Sequence, residues 1–185
     1  MKRFGAIILL VLFLSGCGGT SGEMNRCLVL RDKLLKESCS FETKITADYA
    51  DKLYHFTLDC KADAQGNLSF TVKKPETISG ITGRITGEGG ELTFEGTALS
   101  FPLMADGQVT PVSAPWLLVK TLRGGFLSST GKEGEYLRLC MDDSYREDAL
   151  HLDIWLNGED VPAKAEILYG GRKILSLEVT SFTVP

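Results

Sequence analysis

Residues 39–48, Cys39-Ser-Phe41-Glu-Thr43-Lys-Ile45-Thr-Ala-Asp48, and residues 53–60, Leu53-Tyr54-His55-Phe56-Thr57-Leu58-Asp59-Cys60, alternate apolar and polar side chains with a period of two. That period belongs to β-strands, whose successive side chains point to opposite faces. Cys39, Phe41, Thr43 and Ile45 share one face, and Tyr54, Phe56, Leu58 and Cys60 share another after the polar break from Asp48 to Asp51. Antiparallel pairing with partner numbers summing to 99 sets Ile45 beside Tyr54, Thr43 beside Phe56, Phe41 beside Leu58 and Cys39 beside Cys60. Ala64-Gln65-Gly66 then has the length and the final glycine of a three-residue hairpin with a bulge. A sum of 130 sets Cys60 beside Phe70 and Leu58 beside Val72, so three strands build one apolar face.

The pattern continues outward from this hairpin. Leu92 and Phe94; Leu137, Leu139 and Met141; Leu150, Leu152, Ile154 and Leu156; and Leu175, Leu177 and Val179 form apolar faces, with Glu91, Arg138, His151, Asp153 and Glu178 opposite. Such alternation marks antiparallel sheet covered on one side. Two helices interrupt it. Thr20-Ser-Gly-Glu23 matches a capping box, and Met24, Cys27, Leu28, Leu34 and Leu35, with Leu30 at the margin, recur at helical spacing up to about Ser38. Ser113-Ala-Pro115-Trp116-Leu117-Leu118-Val119-Lys-Thr-Leu122 starts with a capping serine and an early proline, and Gly124-Gly125 stops it. About nine to eleven strands and two helices are expected, with no linker that divides them. The fold class is therefore mostly β (α+β): one strongly curved antiparallel sheet with both helices on its concave side.

Met1 to Cys17 reads as an address. Lys2 and Arg3 precede an uncharged run from Phe4 to Leu14, 11 residues long. Since about 20 are needed to cross a bilayer core, a signal peptide is expected rather than a permanent span. Leu14-Ser15-Gly16-Cys17 resembles the bacterial lipobox, which implies cleavage before Cys17 and acylation of its thiol, by palmitate or a related chain. Two or more acyl chains hold a protein to a membrane where one does not, each buried methylene contributing about 0.8 kcal/mol. The expected division is a signal peptide over 1–16, an acylated cysteine and tether over 17–23, and a single domain over 24–185. The location is extracytoplasmic, on the cell membrane, or on the outer membrane of a host that has two.

Composition narrows the class. Of 185 residues, 43% are hydrophobic and 24% charged, which excludes a disordered or fibrous chain and a multi-spanning membrane protein. Lys+Arg number 20 against 24 Asp+Glu, and loss of Lys2 and Arg3 takes the net charge from -4 to -6. An acidic chain of this kind carries no nucleic-acid groove.

The order of elements, with the run Gly66-Asn67-Leu68-Ser69-Phe70-Thr71-Val72-Lys73-Lys74-Pro75 following the long hairpin, is similar to the LolA-like superfamily of lipoprotein carriers and receptors. The resemblance spans most of residues 24–183 and rests on the Gly-x-Leu-x-hydrophobic stretch that ends in a proline. It implies an unclosed barrel with a helical lid that holds acyl chains or apolar segments in its concavity. The Arg-Pro pair and aromatic-rich stretch of the carrier proper are replaced by Lys74-Pro75 and Thr77-Ile-Ser-Gly-Ile81-Thr-Gly-Arg-Ile85. With a lipobox ahead of it, the chain looks more like the receptor and the lipid-binding lipoproteins of that superfamily.

Phe41, Phe56, Leu58, Phe70, Val72 and Phe94 fall on the concave face, and Trp116 and Leu117 lie on the one apolar helix placed to cover them. These eight are the expected apolar ligand site, for acyl chains of a lipid or lipoprotein. The alternative is a protein-interaction or sensor module whose concavity is filled by its own side chains and whose partner is an envelope protein. The partnering of Cys39 with Cys60 predicts a disulfide between them, leaving Cys27 with Cys140, and a reducing setting leaves all four as thiols.

No catalytic constellation is present, and no cofactor or metal is implied. His55 and His151 lack a second His or Cys at zinc spacing and read as outward strand residues. Gly131-Lys132 lacks the earlier glycine and the Ser or Thr of a phosphate loop, since Phe126 and Glu133 stand at those positions. Asp142, Asp143 and Ser144 read as a solvated acidic loop rather than a nucleophile set with His151.

Overall fold

The computed structural model describes residues 20–49, 52–105 and 108–185, and the reading of Cys17 and the leader lies outside them. A helix, α1 (Thr20–Lys36), leads into β1 (Cys39–Asp48), β2 (Leu53–Ala62), β3 (Leu68–Lys74), β4 (Thr82–Thr86), β5 (Gly89–Phe94) and β6 (Thr97–Phe101). A two-stranded ribbon of β7 (Met104–Ala105) and β8 (Gln108–Val109) precedes α2 (Ala114–Gly124). The chain closes with β9 (Phe126–Glu133), β10 (Tyr136–Asp142), β11 (His151–Leu156), β12 (Pro162–Tyr169) and β13 (Arg172–Thr183).

Eleven strands form one antiparallel sheet in the order β6-β5-β4-β3-β2-β1-β13-β12-β11-β10-β9. The last strand pairs with the first, while β6 and β9 remain separate edges, so the sheet is mostly β architecture left unclosed. The half with β1 to β6 and the half with β9 to β13 are each built from consecutive hairpins, which keeps neighbours in sequence adjacent in space. Both helices lie on one face, touching each other, β9, β2 and β13.

Alternation sorts the side chains as the sequence implies. Cys39, Phe41, Thr43, Ile45 and Ala47 of β1 are buried on the helix side, as are Leu137, Leu139 and Met141 of β10 and Leu175, Leu177 and Val179 of β13. The hairpin between β2 and β3 has the expected register, with Leu58 opposite Val72 and Cys60 opposite Phe70. Gly66 takes a left-handed φ of 87° in the three-residue turn, a conformation that glycine enters without Cβ strain.

The register between β1 and β2 corrects the sequence expectation. Cys39 lies opposite Ala62 and Cys60 opposite Phe41, so partner numbers sum to 101 rather than 99. A shift of two residues leaves every side chain on its original face, so the apolar pattern is equally satisfied by both registers. The turn decides between them: Tyr49 N donates to Lys52 O at 3.1 Å, and the Tyr49 hydroxyl donates to Val109 O at 2.9 Å. The ladder pairing on which a Cys39–Cys60 disulfide was expected is therefore absent, and Cys27, Cys39, Cys60 and Cys140 are free in this structure.

The buried stripe of α1 also differs from the reading. Cys27, Leu30 and Leu34 are buried, whereas Met24, Leu28 and Leu35 lie on an exposed flank. α1 starts at Thr20, inside the stretch assigned to the tether. The second helix is almost wholly interior: Ala114 through Val119, Thr121 and Leu122 are all buried.

Candidate functional site

The inner face of the sheet is divided into a filled part and an open part. Over β1 to β3 and β10 to β13 the two helices occupy the space, and Leu58, Leu118, Leu139 and Ile167 have no exposed surface. Six of the eight expected ligand-site residues belong to this part. Phe41, Leu58, Phe70, Val72, Trp116 and Leu117 are buried in one continuous cluster, and the Phe41 ring stacks on Phe182 with centroids 5.2 Å apart. Phe56 packs half-buried at the margin of the cluster.

Phe94 stands apart, in the open part. Pairing of β4, β5 and β6 sets Gly83 opposite Leu92, Leu92 opposite Leu99 and Phe94 opposite Thr97, so their side chains follow the inner face out from Ile85. Burial fades along this path. Ile85 is fully buried, Leu92 half-buried, Phe94 51% exposed and Leu99 65% exposed. Leu92, Phe94 and Leu99, with Ile81, Glu95 and Thr97, bound a hollow of about 350 Å³. Its walls are apolar except for Glu95 and Thr97 at the tight turn between β5 and β6.

Local sequence explains the shape of the hollow. Glu95 and Gly96 both have positive φ, 47° and 79°, the conformation of a two-residue hairpin turn that brings β6 directly beside β5. Two glycines thin the sheet behind it. A Cβ on Gly83 would lie 2.4 Å from Phe70 Cζ, and one on Gly90 would lie 2.1 Å from Phe101 Cζ, so both rings lie flat across the strand beside them. Leu99 and Ile81 were missed as site residues by sequence reading. The signal was present in the alternation Thr97, Leu99, Phe101, and was weak because β6 is only five residues long.

The larger depressions lie on the outer face and are polar. One of about 530 Å³ runs over β2 to β5 and is bordered by Asp59, Lys61, Thr71, Arg84 and Glu91, an alternation of charges that gives no net attraction for an ion of either sign. His55 is exposed on that face and pairs with the Thr46 hydroxyl at 3.1 Å. A grouping of metal-ligating side chains, Cys140, His151 and Asp153, also stands on the outer face, remote in the sheet from the hollow. Among the described residues no helix is long and apolar enough to cross a membrane.

No protein-family model and no curated protein matches the sequence. Among solved structures the chain is similar to an uncharacterized conserved protein from Thermus thermophilus, at 13% identity over 88% of this chain and 87% of that one, with a TM-score of 0.49. It is similar also to a LolA superfamily protein from Nitrosomonas europaea, at 9% identity over 86% and 93% of the two chains and a TM-score of 0.45. A third is the lipoprotein LppX of Mycobacterium tuberculosis, at 14% identity over 89% and 94%, with a TM-score of 0.42.

Proposed function

We propose that this protein is a lipoprotein of the cell envelope, processed over 1–16 and held to a membrane by acylated Cys17, whose single domain binds an apolar ligand on the inner face of its unclosed sheet without catalysing a reaction. The ligand belongs to the acyl-chain class, the chains of a lipid or of another lipoprotein. The observation that carries this reading is the open hollow of Ile81, Leu92, Phe94 and Leu99. A soluble domain has no folding reason to leave Phe94 and Leu99 half exposed on the face that is elsewhere packed shut, and contiguous apolar surface of this kind marks a binding site. Phe70 lies across Gly83, whose ladder partner is Leu92. Of the residues named from the sequence, Phe70 thus lies behind the hollow and Phe94 lines it.

A second reading is favoured by a specific observation. The burial of Phe41, Leu58, Phe70, Val72 and Leu117 to 4% exposure or less supports an interaction module whose core is self-filled. In that case the hollow receives an apolar segment of an envelope protein.

One experiment separates the two. Fluorescent fatty-acid binding and native mass spectrometry are compared for the wild type, Leu99→Glu and Phe94→Glu. These positions are exposed, so both variants are expected to fold with a stability change within about 0.5 kcal/mol. Loss of lipid uptake in folded variants supports the first reading. Failure of the wild type to take up any fatty acid overturns it and leaves the interaction module. The anchor is tested by Cys17→Ala, which is expected to abolish labelling by a fatty-acid probe; labelling that persists refutes acylation at Cys17.

A further inference from the structure

Pairing of β10 with β11 sets Cys140 opposite Asp153 and Asp142 opposite His151, so four chemistry-bearing side chains form one block on the outer face. No sequence spacing reveals it, because the two strands are joined through the loop from Asp143 to Leu150 and the residues become neighbours only across the ladder. The ligand atoms of Cys140, His151 and Asp153 all lie within 4.8 Å of one another. In a tetrahedral zinc site with bonds of about 2.0 to 2.3 Å the ligand atoms stand about 3.3 to 3.8 Å apart, so a small rotation of the cysteine and histidine side chains closes the set.

The hydrogen bonding of His151 makes the case specific. Its Nδ1 lies 2.8 Å from Asp142 Oδ1, where an imidazole N–H donates to the carboxylate. Its Nε2 lies 3.5 Å from Asp153 Oδ1, and the sulfur of Cys140 is the third corner of the group. Asp153 is held for the task by Arg138, which donates from Nη2 to Oδ2 at 2.7 Å and from Nε to Oδ1 at 3.2 Å. The Asp153 side chain is 8% exposed and the His151 side chain 37%, so the block is anchored on one side and open to solvent on the other.

We propose that Cys140, His151 and Asp153 bind a borderline-soft divalent transition metal, zinc in the first place, with Asp142 fixing the imidazole and Arg138 fixing the carboxylate. A sulfur, nitrogen and oxygen set suits zinc or cobalt and disfavours calcium and magnesium, which take oxygen. Three protein ligands leave the fourth tetrahedral position to water. Asp142 stands where a carboxylate behind a metal-bound histidine fixes the ring and raises its basicity.

The test uses reduced, chelator-treated full-length protein titrated with cobalt(II) alone and then with zinc(II). One equivalent of cobalt is expected to give thiolate-to-cobalt absorption in the near ultraviolet, bleached by zinc. Cys140→Ser is expected to abolish the band, and His151→Gln to weaken binding at least tenfold. Asp142→Asn should retain the stoichiometry and lose about 10- to 100-fold in affinity. Asp153→Asn removes the partner of Arg138 and risks misfolding, so Cys140→Ser and His151→Gln, both on the surface and checked by circular dichroism, decide the outcome. Absence of the band at saturating cobalt overturns the site. A band that survives Cys140→Ser also overturns it, by placing the metal on another thiol.

Discussion

Arg31 of α1 and Arg123 of α2 cap each other's helices. Arg31 donates from Nε to Leu122 O at 2.9 Å and from Nη2 to Gly125 O at 2.7 Å, at the C-terminal end of α2. Arg123 donates from Nη1 to Leu34 O at 2.6 Å, at the C-terminal end of α1, and reaches Asp63 O at 3.2 Å and Ala64 O at 2.5 Å in the β2–β3 turn. Trp116 adds an Nε1 donor to Gly66 O at 3.0 Å in the same turn. Each guanidinium thus meets carbonyls that the helix leaves unpaired, where the helix dipole favours a cation.

The capping pair is predicted to hold α2 as a fixed element rather than a moving lid. Hydrogen bonds from a charged donor contribute about 1.5 to 3 kcal/mol, so Arg123→Ala should lower stability by that order and Arg31→Ala by somewhat less. Arg123→Lys should recover little, because a single ammonium cannot span three carbonyls on two elements. Urea denaturation checks this, and a wild-type midpoint in Arg123→Ala would contradict the clamp.

A pH dependence follows from Asp63. Its slight burial raises the carboxyl pKa, but donors from Asn67, Gln65 and Gly66 outweigh that and hold it below the ordinary value. A carboxylate with a depressed folded pKa contributes stability above its unfolded value, about 3.9, and the contribution is lost as pH falls through the folded pKa. Asp63→Asn should therefore be less stable than wild type at pH 7, and the gap should close towards pH 3. Urea midpoints at both pH values check it; a gap that widens on acidification would refute the assignment.

Thiol mapping tests the corrected register. Burial pushes the Cys39 thiol up to about 11, partly offset by a hydrogen bond with the Ala62 backbone and by Arg123, and burial also raises Cys60, with Asp59 adding to it. Both are therefore protonated and shielded at neutral pH. Cys140 is half-buried whereas Cys27, Cys39 and Cys60 are buried, so iodoacetamide at pH 8 should modify Cys140 first in the native, metal-free protein and reach all four in urea. A Cys39–Cys60 linked peptide in the tryptic digest would restore the sum-99 register.

The flat rings beside the hollow yield the last prediction. Because an added methyl on Gly90 meets the Phe101 ring, Gly90→Ala should cost about 1 to 3 kcal/mol as an overpacked contact. In the Phe101→Ala background the same change should cost little. A thermal-melt double-mutant cycle reads the coupling, and additive losses would show that the ring and the glycine do not touch.

The sequence alone determined which faces of the strands are apolar, the presence of both helices, the β2–β3 register and an antiparallel sheet covered on one side. It did so because alternation and turn chemistry are local: Phe41, Leu58 and Leu139 announce their burial within a few residues of chain. It could not choose between registers two residues apart, since Cys39 beside Cys60 and Cys39 beside Ala62 bury the same face. The tertiary structure alone decided how much of the inner face the helices fill, which depends on where α1 and α2 come to rest. That placement buried Phe70 and left Phe94 and Leu99 open, although all three alternate alike. It also turned α1 so that Leu30 rather than Met24 faces inward, a choice set by Arg31 reaching the end of α2. The outer block of Cys140, His151 and Asp153 belongs to tertiary structure for the same reason: ladder partners become neighbours only when two strands meet, and no spacing along the chain records the meeting.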